Sequence, residues 1–186
     1  MATQGPNSPA TAVDDATVGT VAWANPTNVF ASDGVAASAS FGGPATATDY
    51  QIKIVKSGTI GTTNKADTVT TWPSTLTYVS YGSSADLWGE TWTSSDINNS
   101  NFGIAVSVNE STNISHFLIA TNFSFTIPTN AQINGILVDI EKDQRNTGPG
   151  GSISIAEIDH IRITVTYTTS SLTGIGSITG VQSITL

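Results

Sequence analysis

Only two imidazoles, His116 and His160, are available for proton transfer in this chain of 186 residues. Asp159 directly precedes His160, which is part of what an activated serine needs, and serines are plentiful. No G-x-S-x-G elbow accompanies them. His160 also falls on the polar side of an alternating run, so it reads as an exposed surface histidine and not as a base. No catalytic residue is assigned, and the chain is not expected to be an enzyme. Asp139, Glu141 and Asp143 stand two apart, on one face of a strand. Carboxylate oxygens are what a hard cation such as calcium takes. The calcium-loop pattern with its turn glycine is missing, and a solvated acidic face fits the same residues equally well. No metal or other cofactor is therefore expected.

Trp72, Tyr78, Tyr81, Trp88 and Trp92 crowd into one stretch around Asp86 and Asp96. Rings beside carboxylates can stack on a sugar and hydrogen-bond it, and Trp and Tyr are also enriched at interfaces. The competing reading, favoured by the sequence, is that these rings fill a core. Four Asn-x-Ser sequons, at Asn98, Asn109, Asn113 and Asn122, are what chance produces in so Asn- and Ser-rich a chain. Gly148-Pro149-Gly150-Gly151 reads as a loop tip and not a phosphate cradle, because no lysine or helix start follows it.

The elements that must position these residues are strands. Only 11% of the residues are charged, against about a quarter in ordinary domains, and Ser, Thr, Asn and Gly take their place. Such a composition favours strands and turns over helices. Val18–Trp23, Val35–Phe41 and Leu76–Tyr81 read as short strands. Tyr50, Ile52 and Ile54 alternate with Gln51 and Lys53, with Val55 on the wetter face. Phe102, Ile104, Val106 and Val108 share one parity, as do Phe117, Ile119, Phe123, Phe125 and Ile127. Ile136, Val138 and Ile140 oppose Asp139 and Glu141, and Ile161, Ile163, Val165 and Tyr167 oppose Arg162, Thr164 and Thr166. One oily and one wet face per strand is the signature of antiparallel sheets packed on one side. About eight such strands predict an all-β, antiparallel two-sheet sandwich, with the jelly roll as its commonest form.

Residues 1–16 lack periodicity and read as an extended N-terminal arm, 17–169 as the sandwich domain, and 170–186 as a C-terminal tail. In that tail Leu172, Ile175, Ile178, Val181 and Ile184 recur at every third position. Neither a strand nor an α-helix lays such a set on one face, whereas a chain with three residues per turn does. The tail is expected to make contacts between subunits; a flexible tail whose period arose by duplication is the alternative.

The net charge of −8 and a pI near 4.3 leave six scattered basic residues, too few to neutralise many phosphates or to hold an anionic membrane. With no cysteine, disulfides and thiolate metal sites are excluded. No basic segment followed by an apolar stretch opens the chain, so no export signal is expected.

Several segments resemble a family of uncharacterised proteins encoded among the structural genes of tailed bacteriophages and prophages. They are Trp72-Pro73, Tyr81-Gly82-Ser83-Ser84-Ala85-Asp86-Leu87-Trp88-Gly89, Trp92, and Asp96-Ile97-Asn98 through Asn101-Phe102-Gly103. A second group is Phe123-Ser124-Phe125-Thr126-Ile127-Pro128, Ile133-Asn134-Gly135-Ile136, and Ile158-Asp159-His160-Ile161 to Tyr167. With Trp23, Asn25-Pro26 and Asp33-Gly34 the likeness spans most of residues 20–168. In that family the Phe–Ile–Pro segment precedes the Trp–Gly segment and here it follows, as in a circular permutation or a duplicated module. The resemblance implies a virion component of capsid, tail or fibre, made in the host cytoplasm, with no catalytic residues to carry over. Its partners would be copies of itself and neighbouring virion proteins. The alternative is a carbohydrate-binding module, on a virion or surface filament, that uses the Trp72–Trp92 rings on a host glycan.

Overall fold

A computed structural model describes residues 1–43 and 46–169. They form an all-β sandwich of two antiparallel sheets. The first sheet runs β3 (Trp23–Ala24), β4 (Ala37–Gly42), β12 (Ile153–Thr169), β11 (Ala131–Thr147), β7 (Thr77–Ser83), and β1 (Ala2–Asn7) also pairs with β12. The second runs β2 (Thr11–Asp15), β10 (Phe117–Thr121), β8 (Gly103–Glu110), β5 (Ala47–Lys56), β6 (Thr59–Ile60), with β9 (Asn113–Ile114) beside β8. A single α-helical turn among the described residues, α1 (Ser94–Ile97), is capped by Thr93 and Asp96, which bond each other's backbone reciprocally. The described residues form twelve strands in place of the expected eight or so, because short edge strands carry little periodicity.

The spine of the first sheet is the β11–β12 hairpin, two strands of 17 residues whose tip is Gly148–Gly151. Ile136, Val138 and Ile140 of β11 face the core with Ile158, Ile161, Ile163 and Val165 of β12. Ile52 and Ile54 of β5 meet them with Ile104, Val106 and Val108 of β8.

Four expectations are corrected. The extended N-terminal arm expected over residues 1–16 is instead part of the sandwich: β1 pairs with β12 and β2 with β10, one edge in each sheet. Residues 18–22 form no strand of their own. Instead Val18, with Ile60 and Ile119, packs against a cluster of Val55, Ala105 and Phe117, so Val55 is buried on the supposedly wetter face of β5. A bulge between Asp49 and Gln51 moves the inward place on β5 from Tyr50 to Asp49, which is buried. The Phe117–Ile127 run is broken at Thr121, where Asn122 (φ 61°) and Ser124 (φ 53°) turn left-handed. Phe123, Phe125 and Ile127 are nevertheless buried, and both rings pack against Phe102. The tail positions Leu172, Ile175, Ile178, Val181 and Ile184 lie outside the described residues.

Gly82 decides how β7 receives Trp88. Its φ is +76°, and a Cβ there would run into the Ile136 carbonyl and stand 2.7 Å from the Trp88 indole nitrogen. That indole donates to the same Ile136 carbonyl at 2.9 Å. Gly82→Ala is expected to cost at least about 2 kcal/mol in chemical denaturation. Gly34→Ala, also at positive φ (+79°) but with nothing nearby, should cost about 1 kcal/mol.

Candidate functional site

The inward parity of β11 continues past Ile140 to Lys142, and that of β5 reaches Asp49, so a charge from each sheet enters the interior. Lys142 and Asp49 are 3% and 1% exposed. Lys142 Nζ donates to Asp49 Oδ1 at 2.6 Å and also to the Tyr81 hydroxyl. The Trp72 indole donates to the same oxygen at 2.8 Å, while Asp49 Oδ2 accepts from the Tyr81 hydroxyl (2.8 Å) and the Asp67 amide (3.0 Å). Four donors therefore surround one carboxylate. A buried ion pair holds only when its remaining hydrogen-bonding capacity is met in this way. Burial pulls Lys142 below the ordinary lysine range, against the pull of Asp49. Tyr81 is driven well above the ordinary phenol range by burial and by the Asp49 charge. Two further polar links cross between the sheets nearby: the Gln144 side chain accepts from the Ala47 amide, and Ser154 donates to Glu110. Burial raises the Glu110 carboxyl. A cavity of about 250 Å³ opens beside the hub, lined by Asp67, Thr70, Trp72, Pro73, Val79 and Lys142 among others.

The five rings that composition singled out are each occupied by a cation of the same chain. Lys142 lies 4.4 Å from the Trp72 ring and 5.1 Å from Tyr81. Lys65 covers Trp88 at 5.9 Å, Lys56 covers Trp92 at 5.3 Å, and Arg162 covers Tyr78 at 4.0 Å. Each cation also pairs with an aspartate: Asp49, Asp86, Asp96 and Asp139 in the same order. The carboxylate–cation–ring unit thus occurs four times. Trp72, Tyr81 and Trp88 are buried, so they present no open platform for stacking a sugar. Trp92 is half-buried and packs edge-on against Phe102. Trp72, Tyr81 and Trp88 lie in the core and Trp92 packs against it, whereas Tyr78 stands outside the core, opposite Glu141 and beside His160.

His160 faces outward, as its parity requires, but it is only 9% exposed, which corrects the expectation of an open surface histidine. The β1–β2 connection covers it: Ser8 Oγ lies 2.8 Å from Nε2, and the Tyr78 hydroxyl 2.7 Å from Nδ1. Burial pushes its imidazole below the usual range against the pull of the Glu141 carboxylate, with Arg162 adding to burial. His116 sits apart, 2.9 Å from Asp14. The Asn98 sequon is spent internally, since its side-chain amide both donates to and accepts from the backbone of Ile127. Asp139 is engaged by Arg162 and Ser80, and it does not share ligands with Glu141 and Asp143.

Asp49 and Lys142 escaped the sequence reading. A lysine at the position where Ile136, Val138 and Ile140 call for another apolar residue was the available signal.

Lys142→Met and Asp49→Asn are each expected to cost about 3 kcal/mol or more, because each strands its partner. The double variant should fall short of their sum by more than about 1 kcal/mol in a denaturant cycle. His160 gives a pH test. An ordinary imidazole titrates near 6.5, and the folded one lower, so on acidification the unfolded chain takes up its proton first. The stability from neutral His160 is complete above about pH 6.5 and is lost as pH falls below it. The stability advantage of the native chain over His160→Gln should therefore shrink between about pH 7.5 and 5.5.

Comparison with protein-family models, with curated proteins and with solved structures finds no match to this chain.

Proposed function

We propose that this chain is a structural subunit of a tailed-bacteriophage particle, joined to copies of itself or to neighbouring virion proteins. One observation carries the reading: the segments that resemble phage structural proteins are those that lock the sandwich. Tyr81–Gly89 buries Trp88 against β11, Asn98 clasps Ile127, and Ile158–Tyr167 lies in the central strand of the first sheet. The likeness is to a scaffold, and the polar clusters within it link layer to layer.

Two features suit such a block to assembly. β2 stands at an edge of the second sheet and carries Val13, 47% exposed. An open edge accepts a neighbour's strand by main-chain hydrogen bonding. In this reading residues 170–186 leave the end of β12 and engage a neighbour through their threefold apolar repeat, which multiplies contacts per subunit.

The test compares the full chain with residues 1–169 by sedimentation velocity and electron microscopy. The full chain should form discrete oligomers or particles and the truncated one should stay monomeric with its sandwich intact. A monomeric full chain would overturn assembly with copies of itself, and assembly that survives truncation would overturn the tail's part in it.

A further inference from the structure

The hub between the sheets sets an amine against a carboxyl in a dry interior, which is the setting that amide formation needs. Lys142 Nζ lies 2.6 Å from Asp49 Oδ1, and both residues are buried. They stand 93 residues apart in the chain and come from different sheets. In water such a pair stays an ammonium and a carboxylate, and neither attacks the other. Burial makes both charges costly, and passing one proton from nitrogen to oxygen removes them together. Burial acts on Lys142 in this sense, holding it below the ordinary lysine range. The transfer leaves a free amine against a carboxylic acid, a nucleophile held at its electrophile. Such confinement replaces a chance collision with a fixed encounter.

The groups around the pair match what the reaction requires. The Tyr81 hydroxyl touches both partners: it accepts from Lys142 Nζ and donates to Asp49 Oδ2 at 2.8 Å. It keeps its own proton, because burial and the Asp49 charge drive it well above the ordinary phenol range. It can therefore take a proton from the nitrogen while giving its own to the oxygen. The Trp72 indole on Oδ1 (2.8 Å) and the Asp67 amide on Oδ2 (3.0 Å) aim at the oxygens where negative charge develops as nitrogen adds to the carboxyl carbon. The cavity of about 250 Å³ is lined by Asp49, Trp72, Tyr81 and Lys142, and it gives a released water a way out.

We propose that Lys142 and Asp49 condense to an intramolecular isopeptide bond, a covalent tie between the two sheets. The Tyr81 hydroxyl relays one proton from Nζ to Asp49 Oδ2, and the freed amine adds to Asp49 Cγ. A second proton follows the same route, the Cγ–Oδ2 bond breaks, and Oδ2 departs as water. One hydrogen stays on the amide nitrogen, and Oδ1 becomes the amide carbonyl, still facing the Trp72 indole. No oxidant, metal or second substrate is consumed. The bond depends on the geometry of the hub and not on where the chain serves.

The experiment measures the intact mass of the purified full chain, denatured at intervals during incubation at neutral pH. The mass should settle one water, about 18 Da, below that of the unlinked chain. Digestion of the denatured chain should then yield a single branched peptide that joins Asp49 to Lys142. Lys142→Met should keep the full mass. Tyr81→Phe retains the ring but loses the relay, and should slow the loss of water by about a hundredfold or more. If a variant fails to fold, the native chain decides, since its digest locates the bond. A folded native chain that keeps its full mass, or a loss of water with Asp49 and Lys142 in separate peptides, would overturn the proposal. A folded Tyr81→Phe chain that links at the native rate would overturn the relay.

Discussion

Two sheets held by apolar contact alone can slide, because hydrophobic burial and dispersion have little directional preference. The Asp49–Lys142 pair removes that freedom by joining β5 of one layer to β11 of the other through a bond with a defined length and direction. A buried ion pair commonly adds little net stability over an apolar pair of the same volume. Our reading is that its contribution is alignment: with Asp49 held by four donors, a shift of either strand by one residue would strand a charge in the interior. The Gln144–Ala47 and Ser154–Glu110 links repeat the device nearby. Polar cross-links thus take over where the apolar run of each inward face stops.

The same economy governs the rest of the charge. With six basic residues, the chain sets four of them between an aspartate and an aromatic ring. In each unit the ring shields one side of the cation and the carboxylate neutralises the other, which spares the cation part of its hydration loss. The Asp86–Lys65–Trp88 and Asp96–Lys56–Trp92 units fix the long 84–98 segment to the body of the sandwich. That segment has little regular structure beyond the single turn of α1. On the acidic outer face of β11 and β12, Arg145 pairs with Glu157 and Arg162 with Asp139.

The class of fold was legible because alternation is a direct image of a half-buried sheet. Ile136, Val138 and Ile140, or Ile161, Ile163 and Val165, leave no other arrangement. The misses have physical causes. Bulges at Asp49 and Asp159 shift parity by one residue, so Asp49 goes in and Asp159 out, against simple counting. Phe123, Phe125 and Ile127 keep a strand's alternation in a segment whose backbone turns left-handed, because the core needs the rings whatever the path of the chain. Edge strands such as Ala2–Asn7 have few apolar residues and read as loose chain, since their stability comes from backbone pairing. The rings at Trp72, Tyr81 and Trp88 were visible as a cluster. Their covering cations were not, because Lys56, Lys65, Lys142 and Arg162 are distant in sequence from the rings they meet.

The pairing of β1 with β12 joins the first of the described strands to the last of them, with Ala2 opposite Tyr167. As the polypeptide leaves the ribosome, β1 therefore waits through synthesis of nearly the whole domain before its partner exists. Closing contacts of such separation is slow, and the interval leaves a strand edge exposed to other molecules. The first sheet is consequently completed only after synthesis has passed β12, a timing in which folding and the meeting of nascent neighbours compete for the same edge.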